Sequence, residues 1–305
     1  MASSPLNATS ASSSAIDLSR LPPPDVIEPL DFETIYNRRR ADFLARYPEF
    51  TAFVESDPAI KLLETGAWAE LVLRQRINDA ARSVMIAYAG GGNLDNLAAI
   101  FGVTRREITP ANPATGAPAI MESDDDLRRR VLLAPDSYSV AGPTSAYVFH
   151  ALSADGDVLD ASAVSPAPGE VLVSILSRSG DGTASPELLV AVDAVLSGDE
   201  VRPLTDHVTV QSAELVAFDI TAGLTLYPGP DSQLILDTAN AALAQLLAAN
   251  RRLGRNMSRS SIIAALHVGG VQRVELAAPV EDIIVTQTEV AAPGAISVTI
   301  AGFDE

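Results

Sequence analysis

The hydrophobic pattern of the chain changes its period about halfway along. Up to about residue 155, apolar residues recur at the three- and four-residue spacing of amphipathic helices. The longest predicted helix starts at Asp57-Pro58, a capping residue followed by a proline at the first helical position, and ends before the glycines at 90–92. Shorter helices are predicted at about 93–101, 124–133 and 143–153. The first half of the chain is therefore predicted to be helical.

Two neighbouring apolar stripes run along the longest predicted helix and together cover about half of its circumference. One consists of Leu62, Ala69, Leu73, Ile77, Ala80 and Val84, and the other of Ile60, Leu63, Ala67, Leu71, Ala81, Met85 and Tyr88. The remaining face is polar except for Trp68 and Val72, one helical turn apart. Exposing this tryptophan to water would forfeit about 2 kcal/mol of burial. Trp68 and Val72 are therefore predicted to contact either a partner subunit or the proline-rich segment that precedes the helices of the same chain.

A proline-rich segment, LSRLPPPDVIEPLDF at 18–32, precedes the helical region. Proline favours an extended backbone, so the segment is predicted to form an arm without a core of its own. Its apolar residues are Leu21, Val26, Ile27 and Leu30. We expect them to lie along another surface, which belongs either to the same domain or to a neighbouring subunit.

Apolar and polar residues alternate from about residue 157, as in β-strands. The longest alternation, Val216 to Leu226, predicts a half-buried antiparallel strand. The pattern as a whole predicts a β-β-α-β unit followed by a β-α-α-β-β unit. Their predicted elements are strands at GEVLVSIL, HVTVQS, 216–226, VQRVEL, 281–286 and 295–301, and helices at about 185–197, from Asp231 to NRRLG, and after Ser258.

The sequence NRRLGR at 250–255 concentrates three arginines in an acidic chain. Arg251 and Arg252 are predicted to occupy the last turn of a helix, where they would interact with its exposed carbonyls, and Gly254 to end it in a left-handed conformation. An alternative is that both arginines contact a neighbouring subunit.

The predicted fold class is α+β: a helical head followed by two small α+β modules with mainly antiparallel sheets. The predicted segments are a disordered tail at 1–17, the arm at 18–31, the helical head at 32–155, and modules at 156–213 and 214–305.

Composition restricts the function further. The chain has 305 residues and a formal net charge of -18, which disfavours nucleic acid as a partner. It has no cysteine, and His150, His207 and His267 are too dispersed for a zinc motif. No phosphate-binding loop surrounds Lys61, the only lysine. No signal peptide and no membrane segment is predicted. We therefore expect a soluble protein made in the cytoplasm, without a metal, a cofactor or catalytic residues.

The acidic run ESDDDLRRR at 122–130 could suggest a metal or carboxylate site. Ser123 or Asp124 stands where a helix N-cap belongs, so the acidic residues are predicted to complement a helix dipole, with the arginines pairing one turn later. A glycan-hydrolysing enzyme that pairs Asp124 with Asp155 or Asp157 is the alternative, together with a glycan-binding protein.

An ordered set of phrases resembles the baseplate J-like proteins of contractile phage tails and R-type pyocins. The phrases are LPPPDVIEPLDFETI, MESDDDLRRRV, SVAGPTSAYVFHALSADGDVLDASAVSPAPGEVLVSILS, ITAGLTLYPGP and NRRLGRNMSRSSIIAALHVGGVQRVELAAP. The resemblance covers the chain from about Leu18 onward and implies a structural protein of the virion baseplate, assembled in the host bacterial cytoplasm.

The resemblance also implies specific partners. Two copies would join one smaller tail protein I-like partner in a wedge, and six wedges with twelve copies would form a ring around the central hub and spike. A sheath-initiating protein of lysozyme-like fold would bind the same wedge, and the ring would open on contraction. The helical head would join the wedge bundle, and the C-terminal modules would contact neighbouring wedges.

Overall fold

The computed structural model describes residues 24–51, 54–139, 142–199, 201–229 and 231–304. The predicted tail at 1–17, the first part of the arm and Leu21 lie outside these residues. Of the described residues, one compact unit contains those up to Thr104 together with Asp124–Arg128, and the other contains Arg105–Ser123 and those from Arg129 onward. These are named the helical unit and the mixed unit.

The helical unit contains α1 (Phe32–Arg46), α2 (Pro58–Ser83) and α3 (Gly91–Ile100). The predicted start of α2 is confirmed, because the side chain of Asp57 accepts a hydrogen bond from the amide of Ala59 and Pro58 is the first helical residue. The helix ends at Ser83, several residues before the glycines, since turns occupy the segment up to Ala89. Its inward face, which includes Ile60 and Ala67, is buried.

The first turn of α4 (Asp124–Ser137) belongs to the helical unit. Gly90 has no side chain to cap α3, and the carboxylate of Asp124 instead accepts hydrogen bonds from the amide of Gly91 at 3.1 and 3.2 Å. Arg128 donates to the carbonyls of Ile86 and Ala89, both at 2.8 Å. The acidic residues do occupy the first helical turn as predicted, but Asp124 and Arg128 also hold the turns around α3 in place.

The mixed unit begins with a small hairpin of β1 (Glu107–Thr109) and β2 (Ile120–Met121). The sequence pattern predicts no strand in this region. Directly after β2, Glu122 forms a buried ion pair with Arg130 at 2.7 Å. Burial lowers the pKa of Arg130, against the opposing effect of the Glu122 carboxylate.

The central module contains α5 (Thr144–Ala154), β3 (Val158–Val164), β4 (Glu170–Ser177), α6 (Pro186–Leu196) and β5 (His207–Ser212). Its sheet has the order β3-β4-β5, and β3–β4 is antiparallel whereas β4–β5 is parallel. β4 and β5 are parallel because α6 connects them and brings the chain back to the end of the sheet at which β4 begins. Tyr147, Ile175 and Val192 pack in its core.

The C-terminal module contains β6 (Glu214–Leu226), α7 (Ser232–Asn250), α8 (Arg259–Leu266), β7 (Val271–Ala278) and β8 (Glu289–Phe303). The order of its sheet is β7-β6-β8. The central strand β6 is antiparallel to β7, as predicted, and parallel to β8, which was not predicted. Ile220, Leu224 and Leu226 of β6 are buried in the core.

The predicted strand at 281–286 is wrong. In this segment Ile283 forms one isolated bridge with Met257, while Asp282 accepts from the amide of Arg259 and Val285 donates to Asn256. The segment is a loop held by these contacts with residues at and just before the start of α8. The predicted α+β class, with a helical first part and small, mainly antiparallel or mixed sheets, is confirmed.

Candidate interaction surfaces

One of the two apolar stripes on α2 is exposed. The stripe that contains Ile60, Ala67 and Leu71 is buried or half-buried as far as Met85, as expected for a helix that packs on α1, whereas its last member, Tyr88, is 40% exposed. The large residues of the other stripe remain open to solvent in the single chain; they are Leu62, Leu73, Ile77 and Val84, between 55% and 73% exposed. We call these four residues the outer stripe. Their exposure is a finding that the helical pattern alone did not predict.

Trp68 and Val72 form a second exposed apolar surface on α2, named the tryptophan patch. Trp68 is 60% exposed and Val72 is 50% exposed. At 100° per residue, the patch lies on a different side of the helix from the outer stripe. An apolar surface on two sides of one helix needs more than one neighbour to cover it.

The described part of the arm contacts α2 at Glu28, which bonds to Asn78 and to Arg74. The buried side chain of Asn78 donates to the carbonyl of Glu28 at 2.8 Å and accepts from the amide of Glu28 at 3.1 Å. Val26 lies with Leu73 and Ile77 around an open cavity of about 460 Å³. Val26 itself is 55% exposed, whereas Ile27 and Leu30 are half-buried. The arm thus contacts its own unit at Glu28 and leaves apolar surface open beside it.

A cluster of charged side chains holds α1 and the arm against α2. Glu70 accepts hydrogen bonds from Arg38, from Arg39 at 2.9 Å and from Arg74 at 2.9 Å. Arg74 also donates to Glu28 at 2.5 Å. Burial acts to raise the pKa of Glu70, but the donations from Arg39, Arg38 and Arg74 hold it below its usual value. This network fixes the arm at Glu28 relative to the outer stripe.

Replacing Asn78 by alanine is expected to release the arm. The change removes two hydrogen bonds to the backbone of Glu28 and should destabilise the arm contact by about 1–3 kcal/mol. The measurement is hydrogen exchange, in which the amide of Glu28 should lose its protection. Asn96→Ala is the matched control, because the Asn96 side chain donates to the carbonyl of Gly92 within its own helix. Retained protection of Glu28 in the Asn78 variant would contradict this role.

Arg251 and Arg252 lie just beyond α7. The prediction that they occupy the last helical turn is wrong, because α7 ends at Asn250 and Arg251 is its C-cap residue. Arg252 donates to the carbonyl of Leu159 at 2.6 Å, and Arg251 donates to the carbonyl of Gly180 at 3.3 Å. Gly254 does adopt the predicted left-handed conformation, with φ 69°. Both arginines therefore connect the C-terminal module to the central module.

Asp160 is the main polar contact of this module junction. It is 3% exposed and accepts from Arg129 at 2.6 Å, from the amide of Ala161 at 2.8 Å and from the amide of Leu253 at 2.9 Å. A small apolar cluster lies at the same junction and contains Leu159, Leu176, Ala213, Leu215, Leu253 and Val290. These contacts join residues up to 93 positions apart, which explains why no sequence pattern indicated them.

Removing the Arg252 side chain is expected to weaken the module junction. A hydrogen bond from a charged donor contributes about 1.5–3 kcal/mol, so Arg252→Ala should lower the free energy of unfolding by this amount. Arg251→Ala is the matched control and should cost less than about 1 kcal/mol, because its bond to Gly180 is long. Urea denaturation of both variants tests the difference. Equal, small losses would instead support a role limited to closing α7.

The carboxylates considered for glycan hydrolysis take part in local structure. Asp157 accepts from Ser177 at 2.5 Å and from the hydroxyl of Ser179 at 2.6 Å, and Asp155 accepts from the amide of Asp157 at 2.8 Å. Asp124 bonds to Gly91, as described above. Within the described ranges, no group of three or more histidine, cysteine, aspartate or glutamate residues could hold a metal ion. Among the described helices, none is long and apolar enough to span a membrane.

Comparison with known proteins gives matches to one protein family along most of the chain. Three family models match the chain in order: a baseplate J-like N-terminal domain at 55–112, a baseplate J-like central domain at 139–212 and a baseplate J-like protein C-terminal domain at 218–299. The chain is 48% identical over 299 residues to baseplate protein J of Escherichia phage P2, covering 95% of this chain and 99% of the relative.

A chain of the anti-feeding prophage baseplate, determined by cryo-electron microscopy, is a distant structural neighbour. The two align with a TM-score of 0.41 and 17% sequence identity. The alignment covers 58% of this chain and 42% of the length of the other, so the likeness is partial.

Proposed function

The chain belongs to the baseplate J-like family, and on that premise we propose that it is a structural subunit of the baseplate of a contractile phage tail or tailocin. The observation that carries the proposal is the exposed apolar surface of α2. Six large apolar residues on two sides of one helix, the outer stripe and the tryptophan patch, are left uncovered by the single chain. Such a surface suits a permanent assembly, since obligate interfaces are more apolar than transient ones.

In the proposed assembly, two copies of the chain join one smaller tail protein I-like partner to form a wedge. Six wedges, with twelve copies, form a ring around the central hub and spike. A sheath-initiating baseplate protein of lysozyme-like fold binds each wedge, and the ring opens when the tail contracts. The subunit acts in the virion, after assembly in the cytoplasm of the host bacterium, and its role requires neither catalysis nor a cofactor.

The helical unit supplies the wedge contacts in this proposal. Its outer stripe and tryptophan patch face two different directions, which fits a helix with two helical neighbours, one from a second copy and one from the smaller partner. The arm residue Val26 borders the outer stripe, and the arm residues Val26, Ile27 and Leu30 add to the proposed contact surface. The central and C-terminal modules supply the contacts between wedges.

Co-expression with the neighbouring tail genes tests the proposal. We expect the chain to purify in a complex with a smaller tail protein, with two copies of the chain to one of the partner by native mass measurement. Electron microscopy of larger assemblies should then show a sixfold ring. A chain that stays monomeric and binds none of the co-expressed proteins would overturn the proposed role.

A further inference from the structure

A cleft of about 550 Å³ lies in the mixed unit, where the central module meets the C-terminal module. It is bounded by α4, the first turn of α5, β3 and the loop after α7. Its charged lining consists of Arg129, Arg252, Arg255 and Asp160. We call it the arginine cleft. A volume of this size accommodates several side chains and exceeds what a single inorganic ion fills.

The charge of the arginine cleft is opposite to that of the chain. Three guanidinium groups and one carboxylate give the lining a formal charge of +2 (3 − 1), whereas the whole chain carries -18. Arg255 donates to the backbone carbonyl of Ala249 at 2.9 Å, which leaves its positive charge uncompensated by that contact. A concave surface focuses the field of such charges, so the cleft should attract anions.

Two buried polar atoms of the cleft lack a hydrogen-bond partner within the described part of the chain. They are Nη1 of Arg129 and Oγ of Ser162. Asp160 already accepts from Nη2 of Arg129, so the second nitrogen of the same guanidinium remains available. Ser162 and Asp160 are two positions apart on β3 and therefore share one face of the strand. Buried polar atoms are usually satisfied by protein groups or ordered water, so these two mark a part of the cleft lining that is incompletely hydrogen-bonded by the described residues.

The first turn of α5 adds to this preference for anions. Its N-cap residue, Pro143, makes no side-chain hydrogen bond to the helix. Thr144 and Ser145, which follow it, line the cleft. The amides of a helix N-terminus carry partial positive charge and favour an anionic ligand.

We propose that the arginine cleft binds an acidic peptide segment of another protein subunit. Its carboxylates bind at Arg129 and Arg255, and its aliphatic side chains contact the apolar part of the lining at Val148, Ala163 and Leu253. The charge of the cleft selects carboxylates, and its size selects a segment of several residues. This site is separate from the apolar surface of α2, and its binding test uses the isolated chain, so it can fail or succeed independently of the baseplate role.

The probe is a fluorescein-labelled hexapeptide of alternating glutamate and leucine, titrated with the full chain and followed by fluorescence anisotropy. We expect saturable binding that weakens with added salt, and no binding of the same peptide with glutamine in place of glutamate. Arg255→Glu should weaken binding by about tenfold or more, because a charge-assisted hydrogen bond is lost and a repulsive charge is introduced.

Two further variants keep the result interpretable. Ser162→Asp places a negative charge in the cleft without removing an arginine from the module junction, and it should weaken binding to a similar extent. Arg273→Glu is the matched control, because Arg273 lies on β7, is exposed and pairs with Glu275 outside the cleft. Equal binding of the glutamate and glutamine peptides, or equal weakening by the Arg273 variant, would overturn the proposal. So would saturable binding of inorganic phosphate without any binding of the peptide.

Discussion

Replacing Trp68 and Val72 together by aspartate is expected to abolish assembly with the partner subunits while leaving the isolated chain folded. Both side chains are at least half exposed, so the folded single chain loses little when they change. An interface that buries them would have to desolvate two carboxylates against apolar surface. Interface residues of this kind each contribute about 2–4 kcal/mol, and the double variant should therefore bind at least about a thousandfold more weakly.

The outer stripe and a control pair make this prediction specific. Leu73→Asp with Ile77→Asp should also prevent assembly, because these residues belong to the outer stripe, the other exposed apolar surface of α2. Val190→Asp with Leu204→Asp is the matched control: both residues are exposed and apolar, but they lie in the central module and the loop before β5. Co-purification with the smaller tail protein and thermal unfolding are measured for all three. Assembly that survives in both α2 variants would remove this helix from the interface.

Replacing Asp160 by alanine is expected to cause a large loss of stability in the mixed unit. The change leaves the guanidinium of Arg129 and the amide of Leu253 without their shared acceptor at the module junction. Removing one member of a buried charged pair costs about 3–5 kcal/mol, and because Arg129 is about one-third exposed we expect about 2–4 kcal/mol. Urea denaturation followed by circular dichroism measures this loss.

The expected unfolding of the Asp160 variant also has a distinctive form. Because Asp160 joins the two modules, its loss should reduce the cooperativity between them and broaden or split the transition. Asp219→Ala is the matched control, since Asp219 is exposed and accepts a hydrogen bond from the amide of Ala295 within the C-terminal module. It should cost no more than about 1 kcal/mol. Similar losses for both aspartates would show that Asp160 has no special role at the junction.

Much of the fold could be predicted from local patterns. Ser258 caps α8 and Asp57 caps α2. Such caps are predictable because the side-chain oxygen accepts a hydrogen bond from an amide in the first turn, two or three residues later. The alternation of β6 predicts its buried face correctly, since the period of a strand is a local property. The parallel pairing of β8 with β6 was not predicted. Strand pairing depends on contacts between segments far apart in the chain, and a local sequence pattern does not specify such contacts.

The candidate surfaces were predictable only in part. The Trp68 and Val72 positions stand out because they are apolar on a polar face, whereas Leu73 and Ile77 have the same pattern as core residues and differ only in what covers them. The signal in the sequence was the width of the apolar surface, because the two stripes of α2 together are wider than one neighbouring element can bury. The contacts of Asn78 with Glu28, of Asp160 with Leu253 and of Arg252 with Leu159 could not be predicted, since these partners are 50 to 93 residues away and polar contacts have no period.

Quenching of the single tryptophan by acrylamide tests most directly whether the apolar surface of α2 is covered by other subunits. Trp68 is the only tryptophan of the chain, so its fluorescence reports on this surface alone. We predict efficient quenching in the dilute single chain and strong protection once the chain is assembled with its wedge partner. A tryptophan that is already protected in the dilute chain, or one that stays equally accessible in the assembled baseplate, would contradict the proposed assembly.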